Sequence, residues 1–151
     1  MSKFRIMVKG IAVYENRFLI VEKWYDDRVV NPYQWEFLDG IMKFAEKPDD
    51  AVLRLMKEKT GITAEIDGIL YTWGFTIGEV CTVGIAYRLL CGSKEVTLAE
   101  EYPNYKWVSK EELGEYIENK SVLEDIDRTG LTKEFDIEDF GKVDTFIEHL
   151  D

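Results

Sequence analysis

One segment constrains what this chain can fold into more than any other, because its hydrophobic period changes within a few residues. Residues 34–38 are apolar enough for a short strand, and Gly40 follows them in a tight loop. From Pro48 the apolar residues recur at helical spacing as far as Gly61, a residue that commonly ends helices. The segment therefore predicts a strand, a loop and a helix over about residues 48–60.

Polar residues recur at fixed distances within this segment. Five residues separate Gly40 from Glu46, and seven separate Glu46 from Arg54. A loop between a strand and a helix directs backbone N–H and C=O groups at a phosphate or a metal ion. Three side chains of the helix then converge on one face: Leu55, Glu58 and Lys59. We expect this face to line one cavity together with the Gly40 loop.

The segment resembles the box of the Nudix (MutT-like) family. That box reads Gly, five residues, Glu, seven residues, then Arg-Glu-apolar-any-Glu-Glu-any-Gly-apolar. Seven of its nine defined positions agree here: Gly40, Glu46, Arg54, Met56, Glu58, Gly61 and Ile62. The resemblance covers about residues 4–119 and implies an α/β (α+β) fold, a Nudix-like sandwich whose mixed β-sheet packs between helices. Residues 1–151 are then a single domain, with an acidic helical C-terminal extension over about residues 120–151.

The resemblance also implies a function, namely metal-dependent hydrolysis of a nucleoside diphosphate linked to another moiety. The implied cofactor is Mg²⁺ or Mn²⁺, and the implied partner is a small phosphorylated, nucleotide-like molecule. Carried over to this sequence, the catalytic residues are Glu46, Arg54 and Glu58. The implied metal ligands are Glu58, the carbonyl of Gly40 and Glu101, with Glu100 as the alternative to Glu101. The candidate substrate contacts are Lys23, Tyr33, Trp35 and Lys59.

Two positions depart from the family pattern, and both carry metal-binding glutamates in the family. Leu55 and Lys59 stand there, so that the trio with Glu58 sums to zero charge where three carboxylates would carry −3. Mg²⁺ is a hard cation that binds through carboxylates and retained waters. We therefore expect an altered and weakened metal site. The alternative is a non-catalytic nucleotide-binding module, in which Lys59 contacts phosphate in place of the metal.

Each of these residues also has a purely structural interpretation. Leu55 can widen the apolar stripe of the helix, and Glu58 can form an i,i+4 ion pair with Arg54. Glu46 and Arg54 can hold the loop to the helix whether or not catalysis survives. Aromatic side chains that can either stack a base or fill the core are Tyr25, Tyr33, Trp35 and Trp73.

The charge of the chain is unevenly distributed. It holds 19 basic and 30 acidic residues, a net charge of −11, and residues 111–151 alone carry 14 acidic against 4 basic side chains. An acidic surface repels polyanions, which excludes general nucleic-acid binding. The acidic last quarter leaves open a third function, that of an acidic protein-interaction domain with a basic partner. The oligomeric state stays open, a homodimer included.

Cysteine and hydropathy patterns indicate the compartment. Cys81 and Cys91 lie in apolar stretches and are expected to be buried thiols in a reducing, cytoplasmic environment. No apolar run approaches 18 residues and no basic-then-apolar leader opens the sequence, so neither a membrane span nor a signal peptide is expected. The single histidine, His149, excludes most His-based triads and multi-His metal sites.

Periodicity and turn residues predict the remaining elements. A hairpin is expected from strands at residues 4–14 and 18–24, with a loop at 25–33. Further strands are expected at residues 63–75, 80–91 and 105–108. Ser109 and Glu112 have the spacing of a capping box, which predicts a helix to about residue 119. Residues 121–135 are interpreted as a connector and residues 137–150 as a final helix.

Overall fold

A seven-stranded mixed sheet with three helices makes up the part of the chain that the computed structural model describes, residues 2–25 and 32–131. The strands are β1 (Lys3–Tyr14), β2 (Arg17–Trp24), β3 (Tyr33–Glu36), β4 (Leu38–Ile41), β5 (Ala64–Ile77), β6 (Val80–Cys91) and β7 (Tyr105–Val108). The helices are α1 (Pro48–Thr60), α2 (Lys110–Tyr116) and α3 (Lys120–Thr129). None of these helices is both long and apolar enough to cross a membrane.

The order of strands in the sheet is β3-β2-β1-β6-β5, with β4 paired to β1 and β7 paired to β2. β1 runs parallel to β6 and antiparallel to β2 and β4. The predicted hairpin is confirmed, since Glu15 and Asn16 both adopt positive φ, 48° and 63°, as a tight two-residue turn requires. A mixed sheet with helices is the predicted α+β fold class, which is confirmed.

The two faces of the sheet carry separate hydrophobic cores, because neighbouring side chains of a strand point to opposite faces. On β1, Val8 and Ala12 belong to the core beneath α1. Ile11 and Val13 belong to the other core, together with buried residues of α2 and α3. β1 therefore separates the surface that α1 covers from the opposite face of the sheet.

Helix α1 has the predicted bounds. Pro48 is its first residue, Asp49 and Asp50 place negative charge in the first turn, and Gly61 ends it with φ of 73°. A left-handed residue suits glycine, which has no Cβ to clash in that conformation. The helix buries Ala51, Val52, Leu55, Met56 and Thr60.

The C-terminal part differs from the prediction. The capping box at Ser109 is present, but α2 ends at Tyr116. A second helix, α3, begins where the sequence suggested a connector. Its N-cap Asn119 accepts hydrogen bonds from two backbone N–H groups, and Val122 and Ile126 are buried one turn apart. The helix was missed because only two core positions mark its apolar face. The predicted final helix at residues 137–150 lies outside the described residues, as does most of the predicted loop at 25–33.

Both cysteines are free and half-buried, rather than fully buried as expected. Burial raises the pKa of the Cys91 thiol to about 11. The Cys91 thiol is therefore protonated at neutral pH, and it is a poor nucleophile.

Candidate functional site

The loop after β4 is fastened to α1 by one carboxylate and one guanidinium. Arg54 Nε donates to Glu46 Oε2 at 2.7 Å, and Arg54 Nη2 donates to Glu46 Oε1 at 2.9 Å. The backbone N–H of Lys43 adds a third hydrogen bond to Glu46, at 2.9 Å. These donors, Arg54 first, lower the pKa of Glu46 to about 2. The pair fixes the loop against the helix, which is the structural role that the sequence allowed.

Glu58, the predicted metal ligand, lies on the exposed side of the same guanidinium. Arg54 Nη1 donates to Glu58 Oε2 at 3.2 Å, and the Glu58 side chain is half exposed. The carboxylate is therefore already engaged by a cation of the chain. Arg54 also reaches the carbonyl of Ile41 at 3.4 Å, so that it links both glutamates to the end of β4.

Leu55 occupies the space directly beside Gly40. A Cβ added to Gly40 would lie 2.7 Å from Leu55 Cδ1, closer than two carbon atoms can approach. Leu55 itself is buried, with 6% of its surface exposed. Hydrocarbon therefore fills the position at which the family pattern has a carboxylate. This agrees with the interpretation of Leu55 as a core residue.

Lys59 forms an ion pair with Glu101, 42 residues further along the chain. The loop that carries Glu101 is held against the end of α1 by two backbone hydrogen bonds. Ala99 N–H donates to Lys59 O at 2.8 Å, and Thr97 N–H donates to Thr60 O at 2.9 Å. Glu101, the predicted third metal ligand, therefore lies at the box, but its carboxylate is paired with the ammonium group of Lys59.

These residues do not fit a divalent cation. Each of the two carboxylates implied as metal ligands has a cation of the chain within ion-pair distance: Arg54 for Glu58, and Lys59 for Glu101. No three acidic, histidine or cysteine side chains of the described ranges come together in a metal-binding arrangement. Mg²⁺ prefers several oxygen ligands without a competing positive charge.

A cleft of about 690 Å³ opens on the face of the sheet opposite α1. The strand register places three rows of side chains across this face, each running from β1 over β6 to β5: Arg5–Thr82–Phe75, Met7–Gly84–Trp73 and Lys9–Ala86–Tyr71. The central strand supplies the smallest residue of each row, which makes the floor concave. The cleft differs from the expected cavity, because Leu55, Glu58 and Lys59 lie on the helix side of the sheet.

Small residues on β6 let the aromatic side chains of β5 reach across toward β1. A Cβ on Gly84 would lie 2.2 Å from Trp73 Cε2, so the ring occupies the space above this glycine. Lys9 Nζ lies 4.6 Å from the centre of the Trp73 ring and donates a hydrogen bond to the Tyr71 hydroxyl at 3.2 Å. Lys9 is 7% exposed, and this burial lowers its pKa.

The predicted substrate contacts are spread over several places. Lys23 forms ion pairs with Asp39 and, at 3.7 Å, with Glu36, two acidic residues of the cleft. Tyr33 is exposed on β3, and Trp35 packs edge-on against Tyr116 with ring centres 5.9 Å apart. Tyr33 and Trp35 are not among the described residues that line the cleft.

Lys9 and Gly84 are candidate functional residues that the sequence interpretation missed. A signal for Lys9 was available, since a lysine in the middle of an apolar strand is seldom buried without a reason. Gly84 carried a weaker signal, because a glycine inside a strand often marks a close approach of another group. Both signals become interpretable only once the register of β1, β6 and β5 is known.

No family model matches the chain. The nucleoside triphosphatase NudI of Escherichia fergusonii is 26% identical over 121 residues, which cover 72% of this chain and 85% of that protein. NudI of Enterobacter sp. (strain 638) is also 26% identical, over 113 residues that cover 67% of this chain and 79% of that protein.

Solved structures show the same fold. The crystal structure of the MutT protein from Methanosarcina mazei Go1 has a TM-score of 0.73 at 23% identity, and it covers 88% of this chain and 98% of that one. The chain shares the fold of this MutT protein, and the similarity to NudI together with the spacing of the box confirms the resemblance to the Nudix family that the sequence predicted.

Proposed function

We propose that this chain binds a nucleotide-type molecule in the cleft and does not hydrolyse it through a metal ion held at the box. The observation that carries the proposal is the pairing of both implied carboxylate ligands with cations of the chain, Glu58 with Arg54 and Glu101 with Lys59. A metal ion would have to displace a cation at both carboxylates, which is unfavourable for an ion that binds through free oxygens.

The cleft itself supports a nucleotide-type ligand. Its volume of about 690 Å³ lies within the usual range of small-molecule sites, about 300–1,000 Å³. Trp73 and Phe75 offer aromatic surface, and Arg5 and Lys9 place positive charge on β1 in a cleft that four carboxylates also line, Glu36, Asp39, Glu124 and Asp125. Asp39, on the wall of the cleft, directly precedes the box residue Gly40. The relatives named nucleoside triphosphatase point to the same class of ligand.

A hydrolase is the second candidate, and it is the function that the family resemblance implies. Glu46 and Arg54 keep their paired arrangement, and Glu58 stays half exposed beside them. In this case the substrate is a nucleoside diphosphate linked to another moiety, or a nucleoside triphosphate, and Mg²⁺ or Mn²⁺ would have to bind weakly at rearranged side chains.

One screen separates the two candidates. Binding of nucleoside di- and triphosphates and of nucleoside diphosphates linked to a sugar would be measured by calorimetry in EDTA and again with Mg²⁺ or Mn²⁺, and release of phosphate, pyrophosphate and nucleoside monophosphate would be followed in parallel. We expect binding in EDTA and no metal-dependent release. Release that requires metal and is lost in Glu58→Gln would establish the hydrolase. Absence of binding by every nucleotide would reject both candidates.

A further inference from the structure

Lys9 is a buried donor with spare hydrogen-bonding capacity. A lysine amine carries up to three N–H donors. Within the described ranges, the hydrogen bond that the structure gives Lys9 is the one to the Tyr71 hydroxyl. The Trp73 ring contributes a cation–π contact but no acceptor atom. Lys9 is 7% exposed, and its amine has donors beyond the one that Tyr71 accepts, so a further acceptor from outside the chain is favoured here.

The nearest carboxylates do not meet this need. Asp39, Glu36 and Asp125 attract the Lys9 amine electrostatically, but the first two are paired with Lys23 and the third with Arg128. Tyr25 in addition forms a side-chain hydrogen bond with Glu36. Lys23 and its two acidic partners form a group at the wall of the cleft with a net charge of −1, and the hydrogen bond and ring contact that the described residues give Lys9 are with Tyr71 and Trp73.

We propose that Lys9 is the specificity-determining donor of the cleft, and that it selects heteroaromatic rings with a carbonyl oxygen over rings with an amino group in the same place. The proposal rests on the proposed function, since it concerns the ring of the nucleotide-type ligand. Lys9 Nζ lies over the Trp73 ring, 4.6 Å from its centre, so that a ligand ring packed against this indole comes within reach of the amine. A carbonyl oxygen accepts from lysine, as guanine O6 does in protein–DNA contacts.

An amino group in that position is excluded for a simple reason. Lysine and an exocyclic amino group are both donors, so neither satisfies the other, and both lose water on binding. Sites with a buried group of this kind reject the mismatched ligand strongly. The expected discrimination is at least about tenfold in Kd, which corresponds to about 1.4 kcal/mol.

Two pairs of nucleotides test the inference, because the members of each differ only in the carbonyl or amino group and in the proton on the neighbouring ring nitrogen. IDP and ADP differ by a carbonyl or an amino group on the purine, and UDP and CDP differ in the same way on the pyrimidine. Calorimetry on the full chain in EDTA would give the four affinities. We expect IDP to bind at least about tenfold more tightly than ADP, or UDP than CDP, with the preference lost in Lys9→Met.

Arg5→Met is the matched control, because it removes a basic side chain from the same cleft four residues away on β1. It should weaken both members of a pair equally. Lys9→Met should fold, since replacing a buried charge by an apolar residue of similar size is often neutral or stabilising. Equal binding of the carbonyl and amino members, or a preference that survives in Lys9→Met, would overturn the inference and leave the proposed function intact. Failure of all four nucleotides to bind would reject the proposed function and the role of Lys9 with it.

Discussion

At the scale of single residues, the box loop holds an alanine in a conformation that suits glycine. Ala45 has a φ of 65°, in the left-handed region, where a Cβ costs roughly 1 kcal/mol or more. Its neighbour Glu46 holds the loop to α1 through Arg54. The Glu46–Arg54 ion pair therefore stabilises the loop conformation against the cost of the left-handed conformation at Ala45.

Ala45→Gly should be tolerated for this reason. We expect the free energy of unfolding, measured by urea denaturation, to rise by up to about 1 kcal/mol, because relief of the left-handed strain offsets the greater flexibility of glycine in the unfolded chain. Ala51→Gly, inside α1, is the comparison and should lower stability by about 1 kcal/mol or more. Equal losses in the two variants would show that Ala45 is not strained.

Glu46 should make the free energy of unfolding depend on pH in the acidic range. Its pKa is about 2 in the folded protein, below the ordinary value of 4.5, so its contribution is fully present above pH 4.5 and is lost as the pH falls toward 2. Urea titrations of the parent and of Glu46→Gln should therefore give stabilities that differ at pH 7 and converge near pH 2. Parallel curves across this range would contradict the role assigned to the Glu46–Arg54 pair.

At the scale of secondary-structure elements, the cleft depends on the smallest residue of β6. The Trp73 ring of β5 occupies the space above Gly84 of β6. The ring can take this position because Gly84 has no side chain. Gly84 is consequently a positioning residue for the aromatic wall, and it need not touch the ligand itself.

Gly84→Ala should displace the Trp73 ring, because the added Cβ would lie 2.2 Å from Cε2. Overpacking of this kind lowers the free energy of unfolding by about 1–3 kcal/mol, and the near-ultraviolet circular dichroism of the indole should change. Gly92→Ala is the matched control, since nothing lies within 4 Å of its added Cβ. If the spectrum and the stability of Gly84→Ala match those of Gly92→Ala, the ring does not rest on this glycine.

At the scale of the whole molecule, an ion pair between distant segments lies at the box. The contact between Lys59 and Glu101 joins α1 to the segment between β6 and β7, and it does so with an ion pair that needs no metal. The same two elements are joined by backbone hydrogen bonds, so the position of Glu101 does not depend on the lysine alone.

Lys59→Glu should therefore open the box to metal. Carboxylates at positions 58, 59 and 101 would repel one another without a cation, so the melting temperature should fall in EDTA and recover with Mg²⁺ by mass action. The double variant Leu55→Glu/Lys59→Glu should show a larger fall, because its first change buries a charge, and a larger recovery. With its substrate geometry intact, the double variant should also gain metal-dependent hydrolysis of nucleoside diphosphate derivatives.

Lys57→Glu makes the same charge change on an exposed position of the same helix, so it serves as the control and should show no recovery with Mg²⁺. Micromolar binding of Mg²⁺ to the parent chain would contradict the argument from charge. A double variant that binds Mg²⁺ without any turnover would show that substrate geometry at the box is lost as well.

Local signals were sufficient for much of the fold. The bounds of α1 followed from Pro48 and Gly61, and the hairpin followed from Glu15 and Asn16, because each signal acts within a few residues of the structure it sets. The Glu46–Arg54 pair was also predictable, since the loop and the first two turns of the helix allow little other placement. Helix α3 was not predicted from local signals, because its apolar residues are recognised as a core face only once the helix is seen packed against the sheet.

Contacts between distant segments decided the rest. Sequence alone showed that Leu55 and Lys59 stand where the pattern it resembles has glutamates, because a residue type is visible without a structure. Only the tertiary structure decided that Lys59 meets Glu101, and that Lys9 faces Trp73 over the small residues of β6. These partners are 42 and 64 residues apart, and strand register and loop placement, which depend on the packing of the entire sheet, bring them together.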